Sequence, residues 1–132
     1  MKVMKNLILI FLFAPVMAFA YQGNPSLDAI SKALGSGDVE TLSKYFADNV
    51  EISIKDNEQL YSKAKATEVV RGFFNSNKPR AFEQVHQGTS RENSDHYCIG
   101  NLTATAGNYR VYLYLKVNGS NVTIQEMRFD KE

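Results

Sequence analysis

The chain has 132 residues, with 15 basic and 14 acidic side chains, a single cysteine and no tryptophan. That length holds one ordinary domain and not two, and one cysteine excludes an internal disulfide staple. Charges this evenly balanced leave no basic stripe to hold a phosphate backbone, which argues against a nucleic-acid partner.

Residues 1–20 read MKVMKNLILIFLFAPVMAFA. Lys2 and Lys5 make a short basic segment, Leu7 to Phe13 an apolar one, and Ala18-Phe19-Ala20 a small-x-small cleavage site, the three parts of a secretory signal peptide. The apolar run breaks at Pro15, short of the roughly 20 residues a membrane span needs. The expected products are a cleaved leader, 1–20, and one domain, 21–132, with no stable membrane span. Loss of Lys2 and Lys5 leaves 13 basic residues against 14 acidic, a net charge of −1. The apparent basicity belongs to the leader.

After the leader, Asn24-Pro25 reads as an N-cap followed by proline at the first helical position. Leu27, Ile30 and Leu34 then fall on one helical face, and Gly35 supplies the expected stop. Asp38 caps a second helix, VETLSKYF, with Val39, Leu42, Tyr45 and Phe46 on one side. NVEISI is strand-like, and KDNE turns it into a short return strand around Leu60 and Tyr61. Ser62 caps a third helix, KAKATEVVRGFF, whose Ala66, Val69, Val70, Phe73 and Phe74 recur at three- and four-residue spacing. The turn-forming run NSNKP ends it.

From Arg80 onward the sequence reads as strand. RAFEQVHQG, DHYCIGNLTAT, NYRVYLYLKV and NVTIQEMRF are separated by the turn signals TSREN, AGN and NGS, which predicts a four-strand antiparallel meander. Helices followed by a run of strands mean an α+β fold, with three N-terminal helices covering one face of the sheet. In the third of these strands Tyr109, Val111, Leu113, Leu115 and Val117 alternate with Arg110, Tyr112, Tyr114 and Lys116. The former set is a core face, and the latter points outward.

The order of helix, GSGDVETLSKYFADNVEISI, third helix and meander resembles the nuclear transport factor 2-like superfamily, the cystatin-like α+β roll, over residues 24 to 130. More narrowly, YSKAKATEVVRGFF, FEQVHQG, YCIGNL and YRVYLYLK resemble a family of small exported bacterial proteins, domain of unknown function 4783. The resemblance implies a cone-shaped roll on a strongly curved antiparallel sheet, a pocket between helices and sheet, and pairing through the sheet. It also implies a periplasmic or secreted location. It implies no reaction, because the superfamily holds isomerase-like enzymes, dehydratases and noncatalytic binders.

The stretch HQGTSRENSDHYC, residues 86–98, gathers both histidines, the cysteine and two acids. His86 shares strand parity with Phe82 and so is expected to face the core side or a pocket. There it would serve as a ligand contact or as a general acid or base. Tyr61 and Tyr97 are further candidates to line a cavity. His96 and Cys98 lie two apart on one strand face, and with His86 they would make a three-ligand zinc set. His96 sits beside polar turn residues, however, and Cys98 lies between Tyr97 and Ile99 as a small buried hydrophobe, so no metal and no cofactor is expected. An isomerase needs a buried carboxylate base and a hydroxyl donor. Tyrosines are plentiful, but almost all the acids fall in turns or at helix starts. The expectation is a noncatalytic module that binds a small molecule or a protein, with no catalytic residue. The rival reading is a cofactor-free isomerase or dehydratase using His86 and a pocket tyrosine. Arg110, Tyr112, Tyr114 and Lys116 are the expected interface, since tyrosine and arginine are enriched where proteins meet, and a homodimer through that face is the expected assembly.

Overall fold

The computed structural model of the chain describes residues 25–89 and 94–132. The leader, the Asn24 cap and residues 90–93 of the first meander turn lie outside the described residues. Among the described residues there are three helices: α1 (Pro25–Ser36), α2 (Val39–Lys44) and α3 (Lys63–Ser76). Six strands accompany them: β1 (Phe46–Ile54), β2 (Asn57–Ser62), β3 (Pro79–Thr89), β4 (Asp95–Ala104), β5 (Gly107–Asn118) and β6 (Asn121–Lys131). No helix among these residues is long and apolar enough to cross a membrane.

Local chemistry accounts for the element ends. The Asp38 carboxylate accepts from the Thr41 backbone N–H, and the Ser62 hydroxyl accepts from that of Lys65, so both expected caps satisfy an otherwise orphaned donor. Helix α1 runs one residue past Gly35 and stops at Gly37, whose φ of 70° suits the left-handed region that glycine enters without a Cβ penalty. Tyr45 is the C-cap of α2, and Phe46 opens β1 instead of closing the helix.

The strands form one sheet in the order β2-β1-β6-β5-β4-β3. Strands β3 to β6 make the expected antiparallel meander, and β1 with β2 makes a hairpin. These two units join through a parallel pairing of β1 with β6, so the sheet is mixed where the sequence predicts antiparallel pairing alone. Neighbouring elements in the chain announce hairpins, whereas a parallel partner at the far end carries no local turn signal. Register shifts within β3, in the β1–β6 pairing and in the β5–β6 pairing add local twist and bend the sheet.

The helices cover one face. Ile30 and Leu34 of α1, Leu42 of α2, and Ala66, Val70, Phe73 and Phe74 of α3 are buried against Val50, Ile52, Leu102, Tyr109, Val111, Leu113, Leu115, Ile124, Met127 and Phe129. In β5 the alternation holds: Tyr109, Val111, Leu113 and Leu115 are buried, while Arg110 and Lys116 are exposed and Tyr112 and Tyr114 half-buried. Aromatic rings fill the space beneath α3. Phe73 lies 4.5 Å from Phe129 and 5.0 Å, edge-on, from Tyr109 between ring centroids.

The Tyr109 hydroxyl is the polar exception in this core. It donates to Asn77 Oδ1 at 2.9 Å, and the Asn77 amide donates in turn to the Phe73 carbonyl at 3.0 Å, closing the C-terminus of α3. Tyr109→Phe leaves the buried amide oxygen without its donor. A stability loss of about 1–3 kcal/mol is expected, read as a lower midpoint in urea unfolding with an unchanged slope.

Candidate functional site

His86, Tyr97, Tyr112 and a group of charged side chains lie on the face of the sheet opposite the helices, whereas Tyr61 and Cys98 lie on the core face. The orientation of His86 is decided by a bulge. On β3 the pairing shifts between Gln84 and His86, so Gln84 stands opposite Gly100 while His86 stands opposite Ile99. The extra residue, Val85, reverses the parity downstream of it. Phe82 therefore packs on the core, and His86 is turned to the outer face and exposed, the reverse of the orientation its parity predicts.

There His86 Nε2 meets the Tyr97 hydroxyl at 3.3 Å, and the two rings lie 5.7 Å apart. Tyr97 continues the row, stacked at 6.4 Å and 22° on Tyr112 of β5, and its ring covers Gly88, where a Cβ would come within 2.5 Å of it. Tyr61 is not part of this group. It sits on edge strand β2 opposite the buried Val50 and packs against the core, on the other face and at the other end of the sheet.

His96 and Cys98 are also separate from His86. Cys98 is buried on the core side with its thiol directed to Gln84 Oε1 at 3.3 Å, and His96 meets Gln87 Oε1 at 3.3 Å. His86 and Cys98 lie on opposite faces of one sheet and cannot share an ion. Burial pushes the Cys98 thiol up to about 11, so it is not a thiolate near neutral pH. Burial likewise lowers the His96 imidazole below its ordinary value.

Beside the aromatic row lies an open hollow of about 370 Å³ lined by Ile99, Arg110, Tyr112, Glu126, Arg128 and Asp130. The three strands β4, β5 and β6 place these residues in cross-strand contact: Tyr112 stands opposite both Ile99 and Arg128, and Arg110 opposite Asp130. Tyr112 and Ile99 make an apolar floor; two arginines and two carboxylates make the rim. Arg110 is held by Asn101 at 3.1 Å and Glu132 at 3.3 Å. On the far side, Tyr114 hydrogen-bonds the Asp95 carboxylate, which Lys116 also approaches at 3.5 Å. The Glu126 carboxyl is held above its ordinary value by burial first, with Arg128 opposing and Glu58 adding to the rise. The Tyr112 hydroxyl is raised by burial and by the adjacent Glu126.

The sequence profile of the family described as Domain of unknown function (DUF4783) matches residues 27–130. The chain belongs to that family. Two solved DUF4783 proteins are similar to it. One from Bacteroides ovatus is 34% identical, with a TM-score of 0.73 over 79% of this chain and 93% of that one. One from Bacteroides uniformis is 27% identical, with a TM-score of 0.74 over 80% and 95%. An NTF2-like protein from Cytophaga hutchinsonii shares the fold at 12% identity, with a TM-score of 0.60 over 98% of both chains. The DUF4783 domain is thus an NTF2-like α+β fold. No curated protein matches the chain.

Within this DUF4783 domain the four expected interface residues split. Arg110 and Tyr112 line the hollow, while Tyr114 and Lys116 lie beyond it on the same face. Glu126, Arg128, Asp130 and Ile99 are not among the site residues that the sequence predicts. The alternation of β6, in which Met127 and Phe129 are buried and Glu126 and Arg128 are not, was the signal available for three of them. It shows a shared face without showing that β5 lies alongside.

Proposed function

We propose that this domain is a noncatalytic binding module, exported from a bacterial cell, whose partner is a protein engaged through the outer face of the sheet, a second copy of the chain being the first candidate. The observation that carries the reading is the make-up of the hollow. An apolar floor of Tyr112 and Ile99 is ringed by Arg110, Arg128, Glu126 and Asp130, two charges of each sign. A two-fold contact sets a patch against itself, so it needs both signs within that patch. The aromatic row of His86, Tyr97 and Tyr112 extends the same surface with residue types that dominate interface energetics. The helix-facing side offers less to a ligand, since Phe73, Phe74, Phe129 and Tyr109 pack against one another there. Against an enzyme stands the partner of His86, a tyrosine hydroxyl where a general base would want an orienting carboxylate. Export is supported by the three-part leader of residues 1–20.

Sedimentation at high micromolar concentration tests the reading. The expected result is a concentration-dependent dimer that Tyr112→Glu converts to a monomer and that weakens with added salt. A protein that stays monomeric at every concentration, with Tyr112→Glu indistinguishable from it, defeats self-association. Export is tested separately, by whether the protein recovered outside the cytoplasm begins near Tyr21.

A further inference from the structure

Towards β1 and β2 the outer face carries a second group of side chains, which shares Glu126 with the hollow. Glu51 of β1, Glu58 of β2 and Glu126 of β6 each bring a carboxylate oxygen to within 4.8 Å of the other two. The sheet makes this juxtaposition: Glu51 stands beside Glu126 in the parallel pairing, and Glu58 comes across the β1–β2 hairpin. Three carboxylates this close repel unless something positive or a proton lies between them. Arg128 approaches Glu126 at 4.0 Å, but one guanidinium does not balance three acids.

An independent feature points to a ligand. Ser53 lies two residues along β1 from Glu51, directly opposite Glu58 and beside Arg128, so its hydroxyl is directed to the same face as the carboxylates. It is only 1% exposed, and its Oγ makes no hydrogen bond. A buried hydroxyl without a partner is costly and calls for an explanation. An ion drawn by the adjacent carboxylates would supply the missing contact.

We propose that Glu51, Glu58 and Glu126, with the Ser53 hydroxyl as a fourth oxygen, form a binding site for a hard divalent cation, calcium in preference to magnesium. The donors are all oxygens, the set that calcium takes and that zinc and copper do not prefer. Oxygens bound to one calcium at about 2.3–2.6 Å stand no more than about 5 Å from each other, and the observed separations fall within that limit. Magnesium needs a smaller, near-octahedral shell and gives up its water reluctantly, which three side chains on a half-open sheet face do not reward. The Glu51 carboxyl is raised, first by its hydrogen bond to Glu58 and then by burial, so a proton competes with the ion at low pH. Arg128 and Tyr112 also face the group and bear on that competition. A site of this charge and exposure fits the weak class of extracellular calcium sites, with a dissociation constant of about 0.1–1 mM.

This site does not rest on self-association, and it is tested on dilute protein at pH 7. About 5 mM calcium chloride should raise the thermal midpoint by about 5 °C over sodium chloride of equal ionic strength; magnesium should do less. The double variant Glu51→Gln/Glu126→Gln should lose the calcium response and also melt higher than the natural protein when both are calcium-free, because it no longer holds repelling charges. A merely structural role for these residues gives the opposite sign in the calcium-free comparison. Terbium emission sensitised by Tyr112, displaced by calcium, gives a readout independent of stability. A calcium response no larger than that of sodium, with no sensitised terbium emission, overturns the proposal. So does a double variant that responds to calcium as the natural protein does.

Discussion

Phe129→Ala is expected to cost about 3–5 kcal/mol, the upper range for core truncations. Phe129 is fully buried on β6, with Phe73 at 4.5 Å and Phe74 at 6.0 Å, edge-on, above it. Its main chain also anchors the adjoining hairpin, since its carbonyl accepts from the Lys55 N–H at 3.0 Å. Removing the ring leaves a void bounded by α3 above and the sheet below. Neither can collapse freely: α3 is fixed at its C-terminus by the Asn77–Tyr109 bond, and the sheet by its ladders. A domain of this size has only about 5–15 kcal/mol of stability in total, so the variant should lose a large part of its guanidinium midpoint. A loss under about 1 kcal/mol would mean the site relaxes, and that the ring cluster is not the centre of the core.

Gly100→Ala should be nearly as damaging although it adds one methyl group. A Cβ on Gly100 would stand 2.3 Å from the Phe82 ring and 2.7 Å from the Glu83 carbonyl oxygen. The ring can rotate, but the carbonyl belongs to the backbone of β3, whose Gln84 is the register partner of Gly100. Strand β3 must therefore move off β4, at a cost of about 2–3 kcal/mol. Because Phe82 packs into the space the glycine leaves, Phe82→Ala and Gly100→Ala should be less than additive in combination. Equilibrium unfolding of the two single variants and the double variant measures this. Strict additivity would show that the ring and the glycine do not share one space.

The same glycine shows why much of the fold was legible. The stretches that carried the resemblance have physical jobs: Gly100 admits the Phe82 ring, Gly88 admits the Tyr97 ring, and the alternating residues of β5 separate core from outer face. Caps at Asp38 and Ser62 depend on groups within a few residues of each other, so the sequence displays them directly. The site was less legible. The orientation of His86 depended on the bulge at Val85, and nothing in FEQVHQG marks an extra residue. Glu51, Glu58 and Glu126 meet only because β1 pairs with β6, a contact that spans most of the domain. Taken singly, each glutamate reads as an ordinary polar strand residue.

The parallel β1–β6 pairing also governs when the domain can finish folding. Strand β1 is flanked by β2, its immediate neighbour in the chain, and by β6, the final strand. The β1–β2 hairpin and the meander close short loops and can form quickly. Joining them requires ends far apart in the chain to meet, and such non-local pairings are the slow step in sheet-rich folding. A chain emerging from its N-terminus therefore leaves the inner edges of β1 and β5 without their shared partner until β6, Asn121–Lys131, arrives. Until then the inner edge of β1 stands open to any extended segment that reaches it, and completion of β6 is the event that joins hairpin to meander and closes the sheet.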